Sequence, residues 1–178
     1  MTPPVQIRDH ALARPPTLGT GRLVCIDGPS GSGKTTVAGR LARIAPAQVL
    51  HTDEFCPGWN GLPALPGILA DLLAALAAGR PGGYQEWDWI RDRPGEPVEV
   101  SPAPLVIIEG VGAGALAIAG WTTTLAFLDA DPEQRRLRAF DRDGDYFREQ
   151  WKPWAAAEDA YFNADQVRDR ADLLFRTG

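Results

Sequence analysis

The feature that most constrains this sequence is a glycine-rich segment, Gly28–Thr35, which separates an apolar run from an amphipathic run. The apolar run, Arg22–Asp27, is β-branched and nearly all apolar, which is typical of a strand buried on both faces of a parallel sheet. The run that follows, Lys34–Ile44, has its apolar residues at helical spacing. The sequence therefore predicts a strand, a glycine turn and a helix in immediate succession.

The glycine-rich segment, Gly-Pro-Ser-Gly-Ser-Gly-Lys-Thr, fits the pattern G-x-x-x-x-G-K-[ST] at every fixed position. Its glycines let successive backbone N–H groups face one anion, and the helix that follows presents its positive end to the same anion. In this pattern Lys34 reaches the β- and γ-phosphates, and the Thr35 hydroxyl ligates Mg²⁺. The motif predicts a site for a nucleoside triphosphate formed by Gly28, Ser30, Gly31, Ser32, Gly33, Lys34, Thr35 and Thr36.

Composition limits the partners that we expect. The 178 residues are 44% hydrophobic and 23% charged, which suits one globular domain. A formal net charge of −5 argues against nucleic acid bound through a broad basic surface, and the absence of a long uncharged apolar run argues against a membrane. Residues 1–20 lack the apolar core of a signal peptide, and Cys25 and Cys56 fit a reducing compartment. We expect a cytoplasmic protein, monomer or homodimer, with a small-molecule partner.

The rest of the chain alternates between strand and helix patterns. Strands are predicted at Gln48–His51, Pro104–Glu109, Thr122–Leu128 and Ala171–Arg176, and helices at Ile68–Ala78, Pro132–Asp141 and Tyr146–Asn163, with Pro153 as a candidate bend. Residues 1–21 have little periodicity and several prolines, which predicts a loosely attached arm before a domain of residues 22–178. The alternation predicts a three-layer α/β domain with a parallel central sheet.

Two acids lie at, or just after, the ends of predicted strands. This is the sheet edge where α/β proteins bind ligands. Asp53 follows the second strand; it either caps a turn or accepts the proton of an acceptor hydroxyl during phosphoryl transfer. Glu109 closes an apolar strand, and Mg²⁺ or its waters would offset the cost of burying it there. We predict Asp53 as the general base, and Thr35, Glu109 and Asp53 as metal ligands.

Other features narrow the class of nucleotide-binding protein. A guanine-specific switch needs an Asn-Lys-x-Asp type element, and the only other lysine, Lys152, lies in Trp-Lys-Pro-Trp. The chain is too short for the extra modules of motor or transporter ATPases. A loop acid after the second strand and an arginine-rich helix late in the chain favour a small-molecule kinase.

The sequence resembles the uridine kinase-like group of P-loop kinases, which includes relatives of phosphoribulokinase, pantothenate kinase and nicotinamide riboside kinase. The segments that carry the resemblance, beyond the P-loop, are Asp53-Glu54-Phe55, Leu72 to Gly79, Trp87-Asp88-Trp89, Ile107 to Gly110, Arg142-Asp143, Lys152-Pro153 and Ala171 to Leu173. The resemblance implies a five-stranded parallel sheet of order 2-3-1-4-5, an acceptor-binding insertion at residues 57–100 and a short lid at residues 138–150. It also implies ATP- and Mg²⁺-dependent transfer of the γ-phosphoryl group to a hydroxyl of a nucleoside-like molecule.

The resemblance also suggests roles for arginines and aromatic residues. Arg142 falls at the lid position and is predicted, with Lys34, to stabilise charge on the transferring phosphoryl group; Arg138 shares its helix face and is the second candidate. The predicted acceptor-site residues are Phe55, Tyr84, Trp87, Asp88, Arg91 and Arg93. Core packing is an equally good interpretation of Trp87 and Trp89, and His51 is predicted to be structural.

Two departures from the family leave the acceptor open. Family nucleoside kinases place an aspartate between the Asp-x-Phe element and the next helix, where it holds ribose hydroxyls, but residues 57–63 contain no acid. The segment between Arg142-Asp143 and Lys152-Pro153 is also shorter than in uridine kinases. A nucleoside-like metabolite, a sugar, a vitamin and an antibiotic all remain candidate acceptors, and Arg91 or Arg93 suggests an acidic group. The alternative from a different class is a non-catalytic ATP-binding switch, which has no need for Asp53.

Overall fold

A computed structural model describes all 178 residues. The helices and strands, in chain order, are α1 (Pro3–Leu12), β1 (Arg22–Asp27), α2 (Lys34–Ile44), β2 (Gln48–His51), α3 (Leu65–Ala77), β3 (Gly82–Asp88), β4 (Arg93–Val100), β5 (Leu105–Glu109), β6 (Thr124–Ala130), α4 (Pro132–Asp165), α5 (Val167–Arg170) and β7 (Leu173–Thr177). Five strands form one parallel sheet in the order β2-β5-β1-β6-β7, which by position is 2-3-1-4-5. The predicted fold class and strand order are confirmed.

Helices cover both faces of this sheet because its central strands are apolar on both faces. In β1, Val24 and Ile26 belong to a core shared with α1 and α2, whereas Leu23 and Cys25 belong to a core shared with α3 and α4. Side chains alternate across a strand, so one apolar run supplies both cores. The result is three layers, with the carboxyl ends of the parallel strands gathered at one edge. No helix combines the length and apolarity needed to span a bilayer.

The amino-terminal residues differ from the loosely attached arm predicted for residues 1–21. Pro3 begins α1, where a proline sacrifices no helical hydrogen bond. Ile7 and Ala11 of this helix are buried, and Arg22 Nε donates to the carbonyl oxygen of Ala11 at 3.1 Å. The prolines that suggested irregular structure therefore start a helix that packs on the sheet.

The β3–β4 hairpin is a second difference, because it lies within the predicted acceptor-binding insertion, residues 57–100, where none of the predicted strands falls. The second strand contains Pro94 and Pro97, which are typical strand breakers. In a two-stranded hairpin each strand has a free edge, so these prolines are tolerated.

Helix α4 contains one break, at Gly144, with φ 68° and ψ −154°. Glycine is the residue that adopts this backbone conformation most readily. The two helices predicted in this region therefore follow each other with a single break between them, and the predicted lid, residues 138–150, lies across it. The helix continues through Pro153, the candidate bend.

Candidate active site

The P-loop lies between the carboxyl end of β1 and the first turn of α2, and its conformation depends on glycine. Gly28, Gly31 and Gly33 have φ values of 140°, 78° and 90°. A Cβ on Gly31 would lie 2.2 Å from the carbonyl oxygen of Arg135. The first turn of α4 therefore packs directly on the P-loop, at a position where only glycine fits.

Lys34 is buried at the start of α2, inside the loop. Its Nζ donates to the carbonyl oxygens of Gly28 at 2.7 Å and Pro29 at 3.0 Å. Burial lowers the pKa of Lys34, and nearby carboxylates, Glu158 above all, oppose that change by favouring the charged form. The ammonium group is thus held beside the loop that the motif assigns to phosphate.

Asp27 joins the P-loop to two other parts of the fold. Its Oδ1 accepts the N–H of Gly28 at 2.7 Å, and its Oδ2 accepts the N–H of Gly114 and the hydroxyl of Tyr161, both at 2.7 Å. Burial raises the pKa of Asp27 to about 6, and these donors limit the rise. The carboxylate therefore ties the loop to the segment after β5 and to α4.

Glu109, at the end of β5, contacts the first turn of α2 and the end of β2. The Thr35 hydroxyl donates to Glu109 Oε1 at 3.0 Å, and His51 Nδ1 lies 2.6 Å from the same oxygen. The interaction with Glu109 raises the pKa of His51. His51, which the sequence predicted to be structural, thus contacts Glu109; the one signal in the sequence was its position as the last residue of a predicted strand.

The residues around Thr35 fit Mg²⁺ bound together with a nucleotide. No group of three or more His, Cys, Asp or Glu side chains is arranged to hold a metal ion. Mg²⁺ does not need one, because it keeps several waters and takes its other ligands from phosphates and one or two side-chain oxygens. The Thr35 hydroxyl and the Glu109 carboxylate offer two hard oxygen atoms of the kind that Mg²⁺ prefers, 3.0 Å apart.

Asp53 lies in a short 3₁₀ turn, Thr52–Glu54, directly after β2, and the residue is exposed. Partial desolvation of the carboxyl group and the nearby carboxylate of Glu109 raise the pKa of Asp53, while His51 and Arg142 oppose the rise. The indole N–H of Trp89 donates to the Asp53 carbonyl oxygen at 2.8 Å, which fixes the turn. The acid therefore stands at the same sheet edge as the P-loop.

The two predicted lid arginines have different surroundings. Arg142 is exposed and pairs with Asp143 at 2.6 Å, and its charge influences the pKa of Asp53 and of Lys34. Arg138 instead donates to the carbonyl oxygens of Gly31 at 3.4 Å and Gly178 at 2.7 Å. Arg142 therefore lies within electrostatic range of the predicted base, whereas Arg138 holds the P-loop to the end of the chain after β7.

The structure brings only some predicted acceptor-site residues towards Asp53. Phe55 is buried and packs on Tyr84 with ring centroids 4.4 Å apart, and the Tyr84 hydroxyl donates to Glu54 at 2.9 Å. Asp88 instead caps the hairpin turn and pairs with Arg91 at 2.8 Å. A separate cavity of about 340 Å³ is lined by Glu86, Trp87, Asp88, Arg91, Arg93, Pro94, Gly95 and Glu96, none of which belongs to the P-loop or the Asp53 turn.

An aromatic cluster, which the sequence did not predict, lies beside the Asp53 turn, to which its member Trp89 donates a hydrogen bond. It consists of Trp59 and the four rings that surround it, Trp89, Tyr146, Phe147 and Trp154, with centroids 5.1–5.7 Å from that of Trp59. Trp59 belongs to residues 57–63, the segment without an acid. The cluster joins this segment to the hairpin and to α4, three regions that no local sequence pattern connects.

The sequence matches no protein-family model, and no curated protein matches it. Solved structures match it over nearly its whole length. A possible uridine kinase from Bacillus stearothermophilus has a TM-score of 0.64 and 21% identity, covering 96% of this chain and 99% of that chain. A provisionally named fructose transport system kinase from Silicibacter sp. TM1040 has a TM-score of 0.57 and 22% identity, covering 98% and 99%. The chain therefore has a P-loop kinase fold, the one implied by its resemblance to the uridine kinase-like group.

Proposed function

We propose that this protein is an ATP- and Mg²⁺-dependent kinase that transfers the γ-phosphoryl group to a hydroxyl of a small molecule. The observation that carries the proposal is the position of Asp53. Its carboxylate stands at the sheet edge that holds the P-loop, within electrostatic range of Glu109 and Arg142, and its pKa is raised. A protein that only binds a nucleotide needs the P-loop but has no use for an acid on the acceptor side.

The chemistry follows from where each group lies. The P-loop N–H groups, the start of α2 and Lys34 bind the phosphates. Thr35 and Glu109 would hold Mg²⁺, which when bound neutralises charge on the β- and γ-phosphates. Asp53 accepts the proton of the acceptor hydroxyl as its oxygen bonds to phosphorus, and the bond from phosphorus to the β–γ bridging oxygen breaks to release ADP. Arg142 stabilises the charge on the phosphoryl group in transit.

The acceptor that we propose is a nucleoside-like metabolite, with a sugar, a vitamin or an antibiotic as alternatives. The names of the two structural neighbours refer to a nucleoside and to a sugar. Along the chain, residues 57–63 lie between the Asp53 turn and α3, where the family has a ribose-binding aspartate. In this protein that segment contributes the aromatic ring of Trp59 instead. The suggestion of an acidic acceptor loses its support from Arg91, because Arg91 is paired with Asp88.

Incubating the protein with γ-labelled ATP and a metabolite extract, followed by mass spectrometry of the labelled product, tests the proposal. We expect one labelled phosphate ester, which is absent when the Asp53→Asn variant is used. ATP hydrolysis that does not depend on the extract, with no labelled metabolite, would instead favour the non-catalytic switch.

A further inference from the structure

Glu158 on α4 is a buried carboxylate that the proposed reaction does not use. The residue is 2% exposed. Its Oε1 accepts the Ser30 N–H at 2.9 Å, the Ser30 hydroxyl, and the indole N–H of Trp154 at 2.7 Å. A carboxylate buried to this degree is tolerated when donors of this kind surround it.

Ser30 is the third residue of the P-loop, in the half that leaves β1. Its backbone N–H is buried, and the only acceptor that it has is Glu158. Two further side chains support this half of the loop: Asp27, whose Oδ1 accepts the Gly28 N–H, and Lys34, whose Nζ donates to the carbonyl oxygens of Gly28 and Pro29. Three side chains therefore hold the first half of the P-loop, and Glu158 is the one that accepts the Ser30 N–H.

Nucleotide binding places a new demand on one of these three side chains, Lys34. The lysine of the motif reaches the β- and γ-phosphates, and its ammonium group has three N–H donors, so one remains for the phosphates beside the two that bind the loop carbonyls. Glu158 binds Ser30 and Trp154 and not Lys34 Nζ, so its tether to Ser30 does not depend on how the ammonium group divides its donors.

We propose that Glu158 is a positioning residue that acts through Ser30, holding the first half of the P-loop in its binding conformation while Lys34 engages the nucleotide. The inference rests on the proposed function only in requiring that a nucleotide binds the P-loop. Trp154 supports the tether: its indole N–H also donates to Ser30 Oγ at 3.0 Å, and its ring packs on Trp59 at 5.7 Å.

The test compares MgATP binding by the unaltered protein and by the variants Glu158→Ala, Glu158→Gln and Asp159→Asn. Asp159 is the matched control, because it is the next residue on the same helix, is exposed, and loses the same charge. Calorimetry gives the Kd, and thermal melting with and without MgATP gives the shift in Tm.

We expect Glu158→Ala to weaken MgATP binding by at least about tenfold, equivalent to about 1.4 kcal/mol, and to reduce the MgATP-induced rise in Tm. Glu158→Gln should stay within about threefold of the unaltered protein, because an amide oxygen still accepts both N–H groups. Asp159→Asn should bind MgATP normally.

Several results would overturn the inference. The first is a Kd of Glu158→Ala for MgATP within about twofold of that of the unaltered protein. The second is a lower Tm of this variant with an unchanged MgATP-induced rise in Tm, because that pattern indicates a purely structural role. The third is binding of MgATP by Glu158→Gln that is as weak as binding by Glu158→Ala, because the effect would then come from the charge of Glu158 and not from its hydrogen bond to Ser30. Should Glu158→Ala fail to fold, Glu158→Asp shortens the side chain by one methylene and withdraws the carboxylate from the Ser30 N–H, and normal MgATP binding by that variant would also refute the inference. Failure of the unaltered protein to bind MgATP would overturn the proposed function itself.

Discussion

Replacing Tyr161 by Phe is expected to destabilise the protein by an amount that grows with pH. The Tyr161 hydroxyl donates at 2.7 Å to Asp27, a carboxylate with 0% exposure at the end of β1. Burial raises the pKa of Asp27 from 3.8 to about 6, and the bond from Tyr161 is the largest of the effects that oppose this rise. Removing the hydroxyl should therefore raise the pKa of Asp27 further.

The sign of the pH dependence follows from the two states of Asp27. Because its pKa is higher in the folded than in the unfolded protein, its contribution to stability is fully present below pH 4 and is lost as the pH rises towards 6. The variant loses a hydrogen bond to an ionised carboxylate at high pH, worth about 1.5–3 kcal/mol, and to a neutral carboxyl at low pH, worth about 0.5–1.5 kcal/mol. The loss in unfolding free energy should thus be about 1–1.5 kcal/mol larger at pH 8 than at pH 5. This difference corresponds to a further rise of about one unit in the pKa of Asp27.

Urea unfolding followed by circular dichroism at the two pH values measures this difference. Tyr84→Phe is the matched control, because its hydroxyl donates to Glu54, an exposed residue, and its effect should be small and equal at both pH values. An equal loss of stability for Tyr161→Phe at pH 5 and pH 8, or a larger loss at pH 5, would refute the reasoning.

The remaining predictions concern activity. Lys34→Ala should weaken MgATP binding and abolish transfer, and near-normal turnover in that variant would contradict the nucleotide site. Asp53→Asn should leave the Kd for MgATP almost unchanged and lower kcat by about 10²–10⁴-fold. A decrease in kcat of less than about threefold would indicate that another acid is the general base, and Glu54 is the nearest in sequence. Uridine and cytidine should have kcat/KM values at least about tenfold below that of the true acceptor, because no carboxylate in residues 57–63 holds the ribose hydroxyls. A panel of nucleosides and small hydroxylated acids measures this, and efficient phosphorylation of uridine would show that another acid makes the contact.

The strand, turn and helix that form the P-loop were predictable from sequence because their determinants are local. The strand, the glycine turn and the helix occupy residues 22–44 without interruption, and the predicted bounds of β1, α2 and β2 coincide with those of the structure. Glycine is needed where backbone N–H groups converge, and Lys34 and Thr35 follow at fixed spacing. The strand order came from the family resemblance, since periodicity alone does not say which strands are neighbours.

The groups that support this loop were decided by tertiary structure. Ser30 and Glu158 are 128 positions apart, and Asp27 and Tyr161 are 134 apart. Spacing along α4 identifies residues on one helix face, but it does not reveal which buried N–H group each will meet. That partner exists only once the helix has packed on the P-loop, because only then does Ser30 lose water and require an acceptor. The sequence thus determines the anion-binding loop by itself, whereas packing selects the carboxylates that hold it.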